Sequence, residues 1–277
     1  SLTLDMAKLA IENEKLGGGN ETDMLTVSLS STDIIGHLFG PNSIETEDMY
    51  LRLDKDLADF FNFLDNKIGK GQYTLFLTAD HGGSHVPGFL RENKIPAGIY
   101  DDGEMKKEIN AQLREKFGKD SLIVSMLNYQ VNLNHHRIDS VNLDEKEIIR
   151  CILQFVEKKE FVLRAFETSK LTETTLPTKI KEMAANGYNP TRSGDIQIIL
   201  KPGYVDDLMP GVPLGTSHGV WNPYDAHIPL LWFGWGVKQG KTYKETYMTD
   251  IAATLSAILK IQMPNGSIGH VIEEVMK

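Results

Sequence analysis

The sequence predicts an α/β fold with a small α+β subdomain inserted into it, and three observations lead there. A short apolar, β-branched run, Met24 to Leu29 (MLTVSL), is followed by an amphipathic stretch and then by a second apolar run, Tyr73 to Thr78 (YTLFLT). That is the strand, helix, strand order of a βαβ unit in a parallel sheet. After Pro87-Gly88 the composition turns more polar and the elements shorten, and from Asp195 the longer apolar runs return.

Each element follows from local pattern. Leu2 to Leu16 has apolar residues near helical spacing and stops at Gly17-Gly18-Gly19, which precedes a strand and so reads as a loop rather than a phosphate cradle. From Ser43 onward, Leu53, Leu57, Phe60, Phe61, Leu64 and Ile68 are spaced by 4, 3, 1, 3 and 4, one face of a long helix that ends at Gly69-Lys70-Gly71. In the polar middle, a helix from Gly103 to Phe117 leads to strands at Ser121 to Met126 and Tyr129 to Leu133. A helix at Asp144 to Lys159, a strand at Phe161 to Phe166 and a helix at Thr178 to Ala185 complete the subdomain, in which no chemistry is read. Ile196 to Leu200 and Ile228 to Phe233 are assigned to the resumed main sheet, with helices at Thr249 to Leu259 and Ser267 to Met276. The expected organisation is 1–95 for the first part of the α/β core, 96–194 for the subdomain and 195–277 for the remainder.

Composition narrows the function. With 277 residues, 41% of them hydrophobic, and a net charge of −9, the chain has material for a sizeable core and lacks the signature of disorder. One cysteine, Cys151, excludes a disulfide within the chain. The acidic balance and the absence of a basic region argue against a nucleic-acid partner. No apolar run reaches the roughly 18–20 residues of a membrane span, and the first residues carry no recognisable targeting signal.

Three segments, each after a predicted strand, concentrate Asp and His: SSTDIIGHLFGP (Ser30 to Pro41), TADHGGSH (Thr78 to His85) and GTSHGVWNPYDAH (Gly215 to His227). Ligands in an open α/β sheet bind outside the carboxyl ends of the strands. On a helical turn Asp33 and His37 share a face and could hold a divalent cation. Asp80 and His81 could both point at one ion where the backbone turns sharply, which Gly82-Gly83 would permit. Taken singly, each segment has an ordinary explanation as an exposed acid or a structural histidine. Together they supply N and O donors suited to zinc, and two such ions about 4 Å apart clamp the attacking and leaving oxygens of a phosphoryl transfer.

These windows, in this order, with Tyr224-Asp225-x-His227-x-Pro229 and the helix from Thr249 through Thr254, resemble the alkaline phosphatase superfamily. The similarity is greatest to bacterial phosphate-irrepressible alkaline phosphatases, related to type I phosphodiesterases and nucleotide pyrophosphatases, and it extends to the stretches NYQVNLN and NGYNPTRSGDIQIILKPG of the subdomain. The resemblance implies part of an alkaline-phosphatase-like α/β/α sandwich. It implies a phosphate ester substrate and two zinc ions per complete active site. Asp33, His37 and His218 would bind one zinc, and Asp80 and His81 the other.

The family's further Asp ligand, its nucleophilic Thr or Ser and its phosphate-gripping Asn, Lys and Arg have no counterpart here. The resemblance therefore implies the C-terminal half of a metallophosphatase, with the second zinc site incomplete, no catalytic nucleophile in this chain and little activity alone. Alternatives are a phosphodiesterase or nucleotide pyrophosphatase on the same frame, and a non-catalytic metal-binding or interaction module. A periplasmic or secreted location follows from the family alone; oligomeric state is not readable. Asp225 and His227 are read as partners that orient a metal ligand, with a structural role for His227 the alternative. His85 is read as supporting or structural, and His135-His136 as surface residues with no acidic partner at useful spacing.

Overall fold

The computed structural model describes residues 1–207 and 215–276. In chain order the elements open with α1 (Leu2–Asn13), α2 (Ser31–Phe39), α3 (Ile44–Leu64), β1 (Thr74–Thr78), α4 (Pro87–Glu92), β2 (Gly98–Tyr100) and α5 (Asp102–Phe117). They continue with β3 (Ile123–Leu127), β4 (Gln130–Leu133), α6 (His135–Ser140), α7 (Glu145–Val156), β5 (Val162–Glu167), α8 (Thr178–Gly187), β6 (Ile196–Leu200) and β7 (Tyr204–Asp206). The last are α9 (Pro223–Ala226), β8 (Leu230–Gly234) and α10 (Thr249–Leu259). Two compact units result, one of residues 1–34, 44–80 and 228–277, the other of residues 35–43 and 81–227.

In the first unit, α1 presents Leu4, Ala7 and Ile11 to Phe60 and Leu64 of α3, and the apolar face read from the sequence is the buried one. A π-helical turn, Asp65–Gly69, extends α3. β1 pairs antiparallel with β8, from Thr74 opposite Gly234 to Thr78 opposite Leu230.

Two expectations fail in this unit. Met24 to Leu29 forms no strand: it joins no ladder among the described residues, and Met24, Leu25 and Val27 are exposed. An apolar run becomes a strand only when a neighbour takes up its backbone groups; among the described residues β1 pairs with β8 alone, so the expected βαβ unit does not form there. Ser267 to Met276 is not a helix either. The Asp250 carboxylate accepts the His270 N–H at 2.9 Å, and Thr254 Oγ1 accepts the Ile272 N–H at 3.0 Å, so these donors are used against α10. Gly269 lies so close to the Thr249 carbonyl that a Cβ would come within 1.9 Å of it, and only a short 3₁₀ turn, Glu273–Val275, forms.

The second unit is built on a four-stranded sheet in the order β3-β4-β6-β5. The run Ile196 to Leu200, expected in the larger sheet, lies inside this one, antiparallel to both β4 and β5. All five of its residues are buried, because helices cover both faces: α5 and α7 on one side, and on the other α8 and Leu171, which pack with Ile199. A strand covered twice reads as a nearly continuous apolar run, here broken only by Gln197, like a strand of a large sheet. The helices start where capping residues allow: Asp101, Asn134 and Asp144 each accept a backbone N–H of the first turn of α5, α6 and α7. The single cysteine, Cys151, is buried on the core face of α7. β3 and β4 are joined at Asn128-Tyr129, whose φ angles of 53° and 59° are those of a tight two-residue hairpin turn. β2 and β7 form a separate parallel pair.

Burial pushes the Asp206 carboxyl up to about 6, with the charges of Asp102, Asp207 and Asp101 acting in the same direction and the Asp207 backbone N–H opposing. From about pH 4 to 6 the unfolded chain ionises this group while the folded chain keeps it protonated, so stability falls as pH rises through that window. Asp206 is only half-buried, and screening limits the loss to about 1 kcal/mol. Asp206→Asn is expected to melt like the parent near pH 4 and to gain about 2–4 °C over it at pH 7. Thermal melts across that range check this; a difference independent of pH would contradict it.

Candidate metal centre

Asp33 lies in the first turn of α2 and His37 in its last, one turn apart on a helix with no fully buried residue. Gly40, in the left-handed region at φ 81°, ends the run. Beyond it, the segment from Gly215 is tied to the helix end by two opposed bonds. The Gly215 N–H donates to the His37 carbonyl at 2.7 Å, and His37 Nδ1 lies 2.9 Å from the Thr216 carbonyl. A carbonyl only accepts, so Nδ1 carries a proton, and in the neutral ring the lone pair is on Nε2. This is the arrangement that fixes a metal-binding histidine.

Thr216 places His218 two residues later, its ring centroid 5.0 Å from that of His37. One ligating atom each from Asp33, His37 and His218 lies within 4.8 Å of the others, and the three side chains are half-buried. A tetrahedral ion with bonds of about 2.0–2.1 Å needs its ligand atoms about 3.3 Å apart, which that limit admits. One carboxylate and two imidazoles suit zinc with a position left open.

The second pair is placed differently. Asp80 is exposed two residues beyond β1. His81 Nδ1 lies 2.7 Å from the Gly82 carbonyl, so its Nε2 is likewise the ligating nitrogen. The His81 ring stacks on that of His218, with centroids 3.4 Å apart and planes 12° from parallel. Among the described residues no third Asp, Glu, His or Cys converges with Asp80 and His81. The glycine pair after them serves a purpose other than the sharp turn expected. Gly82 does not adopt a left-handed backbone; it leaves room for the Tyr224 carbonyl, to which a Cβ would approach within 2.3 Å.

Asp225, 3% exposed, spends its carboxylate on the Val220 N–H at 2.8 Å rather than on a ligand ring. His227 is exposed, and its ring makes no hydrogen bond among the described residues. His85 bonds Asn42 at 2.6 Å. His135 does have acidic partners, Glu145 at 2.7 Å and Asp195 at 3.1 Å. They are 10 and 60 positions away in the sequence, which is why local spacing missed them; the bond to Glu145 raises the His135 pKa.

The subdomain also contributes a residue that sequence reasoning passed over. Tyr129, buried at the β3–β4 turn, directs its hydroxyl toward the His218 carbonyl at 3.5 Å, the outer limit of a hydrogen bond. Burial pushes its phenol well above the ordinary range, so it stays a neutral donor. The sequence reading put Tyr129 at the start of a strand, and nothing in the local pattern marked it as a turn residue facing the site.

Comparisons with known proteins identify the family. The sequence model of the family described as type I phosphodiesterase / nucleotide pyrophosphatase matches residues 1–221. Alkaline phosphatase PafA of Elizabethkingia meningoseptica is 49% identical over 276 residues, which make up 100% of this chain and 50% of that protein. A crystal structure of wild-type PafA superposes with a TM-score of 0.95, at 49% identity, covering 100% of this chain and 52% of that one. Alkaline phosphatase PhoV of Synechococcus elongatus is 51% identical, over 100% of this chain and 49% of its own length. A Myroides odoratus protein named a calcium-transporting ATPase is 49% identical, over 100% of this chain and 50% of that protein. The chain thus spans about half the length of the curated relatives it matches, and its mixed helix and sheet architecture is that of the matching part of the PafA fold.

Proposed function

Because the chain belongs to the type I phosphodiesterase / nucleotide pyrophosphatase family, we propose that it is the metal-binding C-terminal half of a zinc-dependent alkaline phosphatase acting on phosphate monoesters. The observation that carries this reading is the convergence of Asp33, His37 and His218, joined to relatives named as alkaline phosphatases. Asp33, His37 and His218 would hold one ion. Asp80 and His81 would give part of the shell of a second. Its remaining ligands and the nucleophilic Thr or Ser would come from a preceding segment of a longer protein, periplasmic or secreted.

When bound, the divalent ions supply positive charge to the phosphoryl oxygens. The chain's own residues orient the ligands. Thr216 holds His37 in the tautomer that presents Nε2, the Gly82 carbonyl does the same for His81, and Asp33 offsets cationic charge with a carboxylate. The stacking of the His81 and His218 rings holds the two imidazoles side by side.

The purified 277-residue chain is expected to bind zinc and to hydrolyse an aryl phosphate no faster than buffer. Turnover that depends on metal and disappears in Asp33→Ala would show that a nucleophile is present here after all. With the longer protein, an aryl monoester is expected to turn over faster than a bis-aryl diester. The reverse order would favour the diesterase reading that the family description also carries.

A further inference from the structure

Two loops of the second unit carry the stacked pair His81 and His218, and the short turn around α9 holds both. On one side, the Gly82 and Gly83 N–H groups, directly after His81, donate to the Asp225 and Tyr224 carbonyls at 2.6 and 3.0 Å. On the other, the Val220 N–H, two residues after His218, donates to Asp225 Oδ2. Asp225 therefore bonds to each loop, by its backbone to the first and by its carboxylate to the second. A second tie lies nearby, where Thr216 Oγ1 donates to the Ser84 carbonyl at 2.6 Å. The approach at Gly82 is too close for any side chain, so the first loop packs directly on the backbone of the α9 turn.

A carboxylate 3% exposed is costly to bury unless the bond it makes is worth more than solvation. The Asp225 carboxylate reaches the His218 loop and not a ligand ring, so its effect on a ligand must pass through backbone position. We propose that Asp225 is a positioning residue that locks the His81 loop to the His218 loop, so that the two imidazoles are set as one unit for metal binding. This rests on the reading of Asp33, His37 and His218 as a metal centre.

Cobalt(II) serves as the probe, its affinity and visible absorption measured by titrating the metal-free 277-residue chain. Asp225→Asn keeps the shape of the side chain and removes its charge. It is expected to fold as the parent does and to bind Co²⁺ about tenfold more weakly, and Asp225→Ala about 100-fold more weakly, the range found when residues supporting metal ligands are lost. His81→Ala should also weaken binding, and its effect should shrink at least threefold in the Asp225→Ala background, because the loops are then already uncoupled. If Asp225→Ala does not fold, Asp225→Asn alone and combined with His81→Ala gives the same comparison. Asp225 variants that bind within twofold of the parent, or effects that simply add, overturn the proposal. A parent chain that binds no Co²⁺ overturns the metal-centre reading itself, a different result from the same titration.

Discussion

Replacing His218 by alanine is expected to lower the affinity of the chain for zinc by more than about 100-fold, beyond the cost of losing a supporting contact. Asp33 and His37 are neighbours on one turn of α2, and by themselves they form a two-ligand site of the kind that rarely holds zinc. His218 is the ligand that comes from elsewhere in the chain and closes the set. Its ring is half-buried, so the metal-free variant should stay folded, with a melting temperature within a few degrees of the parent. Calorimetric titration of zinc into the parent and His218→Ala measures the effect, with His136→Ala, on the exposed start of α6, as the control that should not change. Retained affinity within tenfold of the parent would remove His218 from the site.

The second large effect comes from one hydrogen atom's worth of space. A Cβ on Gly215 would lie 2.1 Å from the Gly40 nitrogen, 2.5 Å from the Phe39 carbonyl carbon and 2.7 Å from the Gly36 oxygen. All three are backbone atoms at the end of α2, so no rotamer change can relieve the contact. Gly215→Ala is expected to cost about 3 kcal/mol, the upper part of the overpacking range, and to lower the melting temperature by about 6–12 °C. It should also weaken zinc binding, because the Gly215 and Thr216 contacts that fix His37 are lost together. Melts and zinc titrations of the same variant check both effects; an unchanged melt would mean that α2 can move away freely.

Local chemistry was the most legible part of the sequence. The α3 face, the helices read from Gly103 and from Asp144, and the helix Thr249–Leu259 all depend on neighbours within a turn or two, and the structure has them close to where the pattern predicts. The Asp33–His37 pair was readable for the same reason. What failed depended on distant partners. Met24 to Leu29 has the side chains of a strand and no ladder to join among the described residues. Ser267 to Met276 has helical composition, but Asp250 and Thr254, some 20 residues earlier, take its backbone donors. Ile196 to Leu200 was correctly read as a strand and wrongly assigned to a sheet, because a strand apolar at all but Gln197 does not reveal which neighbours bury it. At the site, the rings were legible and Asp225 was read as a support, but the group it reaches was not, and Thr216 was not read at all. The Thr216 carbonyl and the Asp225 carboxylate act on groups that only the folded chain brings near.

The burial of Cys151 has a practical consequence. It is the one thiol in the chain and lies on the core face of α7, 6% exposed. A soluble thiol reagent can reach it only when that helix lifts from the sheet or the unit unfolds. The rate of labelling in native buffer therefore times the opening of the second unit, with no engineered probe and no competing thiol to correct for. Where reclosing is faster than reaction, the rate divided by that of a free thiol gives the equilibrium for opening. Comparing labelling with and without zinc would then show how much of the energy of metal binding reaches this core, which meets the site through Tyr129 beside His218.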